Sequence, residues 1–403
     1  MPLSNLLKKE VQAFIEAHLG DDLQQLALKK NPFQDIPTSR LIDQITGRKI
    51  AKNKFPPGFD STGILFPPKI HLEQTSSFQT AGYKASLVSG KCLTDLTGGF
   101  GIDAFSFSKK MEKVVHCEKN AGLSAIARHN FSQLQQANID CLTVDGIEFL
   151  KKSDAFSDWV YIDPSRRDTQ KKKVFLLEDC EPDVAANIDL LFSKTSQILI
   201  KTSPLLDISS GIRSLRYVSE IHVVAVDNEV KELLWVLRKD NIVSPKITTV
   251  NIKKGQTQTF SFVWDEEAAV KTDCLPVKTY LYEPNAAIMK SGGFRLFAKA
   301  YSLSKLHSNT HLYTSDNLKT IPGRCFKVLE SFPFDKKIIK EKLTRQKANI
   351  AVRNFKMPVE EIRKKFGIAD GGSSYVFFAT NCFDKPEVLI CEKITGPDIP
   401  KVD

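Results

Sequence analysis

The chain has 403 residues, with 57 Lys and Arg against 47 Asp and Glu, a net charge of +10 and a hydrophobic fraction of 42%. That length exceeds the usual single domain, and the composition excludes a mostly disordered chain, a collagen-like repeat and a disulfide-dense miniature fold. No apolar run reaches the roughly 18 residues needed to span a bilayer, and the eight scattered cysteines lack a C-x-x-C pair, which favours reduced thiols in the cytoplasm over disulfides or zinc.

At the amino terminus Lys8, Lys9, Glu10 and Glu16 interrupt the apolar residues at helical spacing, so this stretch reads as a helix and not as a signal peptide. Val11, Phe14, Ile15 and Leu19, then Leu23 and Leu26, continue that period, and Phe55-Pro56-Pro57-Gly58 and Phe66-Pro67-Pro68 break it into pieces. Residues 1–75 are expected to form a helical N-terminal region. From Cys92 to Lys239 short β-rich runs alternate with helical patterns, with strands expected at 92–96, 113–118, 140–144, 158–163, 196–202, 219–226 and 231–238. Only Asp227-Asn228-Glu229 separates the last two, which predicts an antiparallel hairpin. The spacing therefore predicts an α/β domain over 76–240, a seven-stranded mixed sheet of five parallel strands closed by an antiparallel edge hairpin.

Residues 241–320 begin with a second hairpin, Ile247–Ile252 and Thr257–Trp264 around Gly255, and continue to a helix expected at Gly293–Leu306. Over 321–403 a strand (Cys325–Leu329), helices (Lys336–Lys347 and Pro358–Phe366) and two strands (Tyr375–Thr380 and Glu387–Glu392) predict a small α+β domain. The stretch Lys319–Asp370 carries 14 Lys and Arg against 6 Asp and Glu, which suits a polyanion-binding surface. The histidines, including His307 and His311, have no metal-ligand spacing, and no metal is expected.

The chemistry concentrates at the ends of the first four strands. The first runs into Asp95-Leu96-Thr97-Gly98-Gly99-Phe100-Gly101 and then directly into a helix. Glycines there let a ligand approach the backbone, and the free amides of the helix start offer donors. The segment Gly99–Ala104 also fits the dinucleotide fingerprint G-x-G-x-x-A. Asp95 would repel a pyrophosphate but would favour a cofactor carrying an ammonium and a sulfonium. The second strand ends at Glu118, placed for ribose hydroxyls, the third at Asp145, placed for an adenine amino group, and the fourth at Asp163-Pro164. Each acid alone could be a helix cap. Four in succession on the carboxyl edge of a parallel sheet mark a ligand site.

The motifs DLTGGFG, HCEKN, VDGIEF and YIDPSRR, in that order, resemble the class I S-adenosylmethionine-dependent methyltransferases with their Rossmann-like domain. YEPNAAIMKSGGF, PGRCFKV and VEEIRKKFGIADGGSSYVFFAT resemble the bacterial group that joins this domain to a ferredoxin-like segment and a THUMP-like α+β module. The resemblance implies S-adenosylmethionine held by Asp95, Thr97, Gly98, Gly99, Gly101, Glu118, Asp145 and Asp163, with Asp163 and Pro164 beside the transferred methyl group. It also implies an RNA substrate, tRNA or rRNA, contacted by Ser165, Arg166, Arg167 and Lys201.

The target atom stays open. The Asp163-Pro164-Ser165-Arg166-Arg167 loop lacks the aromatic residue that stacks a flipped base, and Ile200-Lys201-Thr202-Ser203-Pro204 lacks the thiol a ring-carbon methyltransferase needs. A non-catalytic RNA-binding or assembly factor that retains the fold is the alternative reading.

Overall fold

The computed structural model describes residues 3–166, 177–240, 243–253 and 255–395. The chain divides into two compact units, one of Met1–Ile221 with Lys231–Val243, the other of His222–Val230 with Ser244–Asp403.

The first unit opens with helices α1 (Lys9–Ala17), α2 (Leu23–Leu28), α3 (Thr38–Lys54), α4 (Lys69–Gln74) and α5 (Phe78–Ser86). Val11 and Ile15, on the apolar stripe of α1, are fully buried. The proline-broken segment between α3 and α4 has no ladder to satisfy its backbone, so side-chain amides do that instead. Gln44 donates to the Phe66 carbonyl (2.7 Å) and accepts from its N–H (2.9 Å). Asn130 does the same for Leu65, at 2.8 and 2.9 Å.

The sheet follows as β1 (Gly90–Asp95), β2 (Met111–Cys117), β3 (Ile139–Leu142), β4 (Ser157–Ile162), β5 (Thr195–Thr202), β6 (Val218–Val226) and β7 (Glu229–Arg238). Between them run α6 (Ile102–Phe107), α7 (Ala121–Gln133), α8 (Gly146–Lys152), α9 (Ile188–Lys194) and α10 (Ile208–Ser214). The strand order is β3-β2-β1-β4-β5-β7-β6, the first five parallel and β7 antiparallel to β5. Every expected strand of this sheet is present to within two residues at either end. Trp159–Ile162 of β4 and Ile198–Ile200 of β5 are continuously buried, as central parallel strands covered on both faces must be. Asp227 and Asn228 turn the β6–β7 hairpin at φ 49° and 65°, the left-handed pair whose twist suits a two-residue connection.

In the second unit the β6 residues 222–226 are flanked by β8 (Lys246–Lys253) and then β9 (Gln256–Val263), so the strand order counts nine where seven were expected. After α11 (Glu266–Ala269) comes a separate seven-stranded sheet. Its strands are β10 (Tyr280–Pro284), β11 (Ser304–Lys305), β12 (Tyr313–Ser315), β13 (Gly323–Pro333), β14 (Asn349–Arg353), β15 (Ser374–Thr380) and β16 (Pro386–Lys393), in the order β11-β12-β10-β13-β16-β15-β14.

Helices α12 (Ala286–Ser291) and α13 (Phe294–Ala300) follow β10, while α14 (Lys336–Leu343) and α15 (Val359–Phe366) pack Ile339, Leu343, Ile362 and Phe366 on Val376, Phe378 and Val388. The helix expected to reach Leu306 stops at Ala300, where Ser302 takes φ 52° and the chain turns into β11. The helix expected to reach Lys347 stops at Leu343, and Arg345 has φ 61°. The cysteines are all free thiols; Cys117, Cys180, Cys325 and Cys391 are buried, Cys92, Cys141 and Cys382 half-buried and Cys274 exposed. Among the described residues no helix is long and apolar enough to cross a membrane.

Candidate active site

Strand β1 delivers the glycine loop to the carboxyl edge of the sheet. At Gly98 the backbone lies so close to the buried His116 that an added Cβ would come within 2.3 Å of its Nε2. Gly101 combines φ 92° with a Phe131 ring atom 2.4 Å from where a Cβ would stand. No other residue fits either position. Between them Phe100 anchors the loop, its ring 5.5, 5.8 and 6.0 Å from those of Phe55, Phe59 and Phe66. The N-terminal helical region thus fixes the loop from below.

The loop and the next strand ends enclose a cleft of about 830 Å³. It is lined by Asp95, Thr97, Gly98, Gly99, Gly101, Glu118, Asp145, Asp163, Pro164, Ser165 and Lys201. Every expected site residue whose side chain the structure describes is therefore in one place. The Arg166 side chain, Arg167 and Lys171–Lys173 lie outside the described residues.

Asp95 is 1% exposed and accepts from the Thr97 N–H at 3.0 Å. Burial pushes its carboxyl well above the usual carboxylate range, and the neighbouring Asp103, Asp163 and Glu118 add to the effect. Glu118 accepts from the Gly99 N–H (2.9 Å) and the Asn120 N–H (2.7 Å), one on each oxygen. Asp145 caps α8, its Oδ1 accepting from Ile147 and Glu148 at 2.9 and 3.1 Å, so it is a helix cap and a cleft carboxylate at once. A carboxylate has about four acceptor positions, so Glu118 and Asp145 keep capacity for a ligand. Thr97 braces the site: its hydroxyl accepts from the Asp163 N–H at 2.7 Å, tying the first loop to the fourth.

The opposite wall is basic. Lys201 is ion-paired with Asp163, and Lys231 and His71 also line the cleft. Lys54 donates to the carbonyls of Leu72 and Glu73 at 2.8 and 3.0 Å, and its pKa is lowered by burial and then by repulsion from Lys201 and Lys231.

Beneath this wall lies a group that sequence reasoning missed. The fully buried Lys84 of α5 donates to both Glu232 oxygens at 2.8 Å and to Ser76 at 3.0 Å, and sits 3.3 Å from Asp103 Oδ1. Asp103 Oδ2 in turn accepts from Tyr161 (2.8 Å) and Ser76 (2.9 Å). Burial alone would raise the Asp103 pKa, but Lys84, Lys201 and these hydrogen bonds outweigh it and hold the pKa below its ordinary value. Asp103 had been legible only as part of the G-x-G-x-x-A pattern. Among the described residues no group of three or more His, Cys, Asp or Glu side chains is arranged to hold a metal.

Comparison with known proteins shows the family. Family models match residues 280–322, as a ferredoxin-like domain, and 323–393, as a THUMP-like domain. No curated protein matches the sequence. A crystal structure of a provisionally assigned methyltransferase from Porphyromonas gingivalis W83 is similar at 30% identity, with a TM-score of 0.89, over 98% of this chain and all of that one. An rRNA methylase from Streptococcus thermophilus matches 40% of this chain and 95% of its own at 12% identity, with a TM-score of 0.30. A protein of Streptococcus mutans in complex with S-adenosylhomocysteine matches 40% and 96% at 11% identity, also with a TM-score of 0.30. The last two are too distant to add weight. Similarity to the Porphyromonas protein over almost the whole length, with the two matched segments following the Rossmann-like sheet, shows that this chain belongs to the family of class I methyltransferases carrying a C-terminal ferredoxin-like segment and THUMP-like domain.

Proposed function

We propose that the protein transfers a methyl group from S-adenosylmethionine to RNA, in the cytoplasm. The observation that carries this is the order of charges along the strand ends that line one cleft, with Asp145, Glu118 and Asp95 at the β3-β2-β1 side and Lys201 and Lys231 on β5 and β7. A cationic cofactor without phosphates suits the first side and a polyanion the second. The buried Asp95 favours a positive ligand, because an ammonium or sulfonium beside it relieves the cost of ionising it. A phosphate-bearing dinucleotide would meet acids where it needs donors.

In this reading Glu118 receives the ribose hydroxyls, Asp145 the adenine amino group, and the loop from Asp95 to Gly101 the methionine end. When bound, the donor supplies an electrophilic methyl group. The residues of this chain contribute positioning: Thr97 fixes Asp163 relative to the cofactor loop, and Asp163-Pro164 opens the acceptor side. Ser165, Arg166 and Arg167 contact the RNA in this reading, together with Lys201 and Lys231. The basic stretch 319–370 of the THUMP-like module adds a second anionic contact. We assign the chemistry to residues 76–240, with 1–75 bracing the cofactor loop, 241–320 connecting and 321–403 contacting RNA.

Calorimetry with S-adenosylmethionine tests the cofactor. Binding by the native chain, weakened in Glu118→Ala, is expected, and an absence of binding rejects it. Tritiated-methyl incorporation into RNA from a deletion strain tests the substrate. Incorporation above that into wild-type RNA is expected from the enzyme, and none from a non-catalytic RNA-binding factor.

A further inference from the structure

We infer that the acceptor atom is an oxygen, the ribose 2′-hydroxyl of RNA, and not a base nitrogen or carbon; this rests on the methyl-donor and RNA reading above. The acceptor side of the cleft carries two lysine–carboxylate pairs supplied by four different elements. Lys201, at the end of β5, pairs with Asp163, just beyond β4, and both line the cleft. Lys84 of α5 pairs with Glu232 of β7 directly beneath, and Asp103, Tyr161 and Ser76 join that pair to the cleft surface.

Three acceptor chemistries make different demands on these groups. A ring carbon must first be activated by a covalent nucleophile, usually a thiolate. Cys117 is the cysteine that lines the cleft, and it is fully buried, with burial pushing its thiol up to about 12. A base nitrogen needs its base splayed out and held flat. Among the described lining residues Phe100 and Tyr161 are 3% and 1% exposed, so only the half-buried His71 offers a ring. A neutral amine also becomes more positive as it attacks, which the Lys201 ammonium opposes. Burial alone would lower the Lys201 pKa, but Asp163, Asp103 and Glu232 raise it overall, so that charge persists.

A hydroxyl has the opposite need. As its proton leaves, negative charge grows on oxygen, and a fixed ammonium in a partly dehydrated cleft stabilises it. The O–CH₃ bond forms while the carbon–sulfonium bond breaks, sulfur keeping the bonding pair as a neutral thioether. The hydroxyl proton passes to the Asp163 carboxylate, whose Oδ1 is outside the Lys201 ion pair, and then to water. Lys84, Glu232 and Asp103 are positioning residues in this scheme, since they hold the carboxylates that keep Lys201 charged and in place.

Ribose methylation blocks alkaline cleavage of the next phosphodiester, so its product survives as a methylated, alkali-resistant dinucleotide. Mass spectrometry of alkali-digested RNA from a deletion strain, and from the strain complemented with the native chain or with Lys201→Met, reads this out. The expected result is one such dinucleotide missing on deletion, restored by the native chain, and reduced about 100-fold with Lys201→Met, while purified Lys201→Met still binds S-adenosylhomocysteine. If Lys201→Met fails to bind, the deletion and native-complementation arms still decide the acceptor. A missing methylated base, with all alkali-resistant dinucleotides intact, would overturn the oxygen acceptor and leave RNA methylation standing. Unchanged RNA methylation of every kind would overturn both.

Discussion

Lys84→Met removes an ammonium that is 0% exposed and leaves Glu232, 2% exposed, with neither of its 2.8 Å hydrogen bonds from that ammonium. Breaking a buried pair from one side leaves an uncompensated charge, at a cost of about 3–5 kcal/mol. In a unit of this size that lowers the melting temperature by roughly 10 °C. Trp159 and Trp235 are both buried in the first unit, so the fluorescence change on heating reports this loss. The double variant Lys84→Met/Glu232→Leu removes both charges and should recover most of it, because apolar replacement of a whole buried pair is often neutral.

The pH dependence has a definite sign. Burial raises the Glu232 pKa in the folded state, so the cost of its charge is absent below the unfolded value of 4.5 and grows as pH rises through the folded one. Loss of Lys84 raises that pKa further, so the gap between native and Lys84→Met should narrow as the pH falls. A single variant within about 1 kcal/mol of the native chain at neutral pH, or a double variant no more stable than the single, would refute this account of the buried cluster.

Binding of the cationic S-adenosylmethionine should ionise Asp95 and release protons at any pH below its raised pKa; calorimetric heats that are independent of buffer ionisation enthalpy throughout the acidic range would contradict this. Gly98→Ala puts a methyl group 2.3 Å from His116 Nε2, an overpacking strain of about 1–3 kcal/mol, so calorimetry should show affinity for the same ligand falling about tenfold or more; unchanged affinity would mean that the loop is not held as described. On the exposed face of α15, Lys364→Glu with Lys365→Glu should weaken RNA binding at all sequences and reduce its logarithmic salt slope by roughly 0.7–0.9 for each phosphate the helix no longer neutralises, measured by fluorescence anisotropy; an unchanged slope would remove this helix from the interface.

The first sheet was legible because β4, β5 and β7 carry continuous apolar runs, because short β-rich runs alternate with helical patterns, and because two residues suited to left-handed φ, Asp227 and Asn228, announce the hairpin. The second sheet was only partly so. Tyr280–Pro284 is five residues long and ends in proline, Tyr313–Ser315 has three residues, and Asn349–Arg353 is half-buried throughout and polar at both ends. None repeats long enough to show a period. These strands exist because β10 pairs with β12 and β13, and β14 with β15, and such pairing is decided by distant sequence.

The acidic edge of the cleft was legible for a local reason: each acid stands at a strand end, and the parallel topology brings strand ends together. The buried cluster joins residues 148 positions apart, yet its members carried a signal that was passed over. Lys84 shares the buried stripe of α5 with Thr80, Ala81 and Ala85, and Glu232 opens the buried run Glu232–Leu237 of β7. A lysine on an apolar helix stripe must find a carboxylate or lose its charge, and a glutamate opening an apolar strand run must find a cation. One of each sign, on a helix leading into the sheet and on a strand of that sheet, makes the pair the cheapest solution for both. Its position beneath Asp163 and Lys201 then follows from topology, because α5 leads into β1 and β7 lies beside β5.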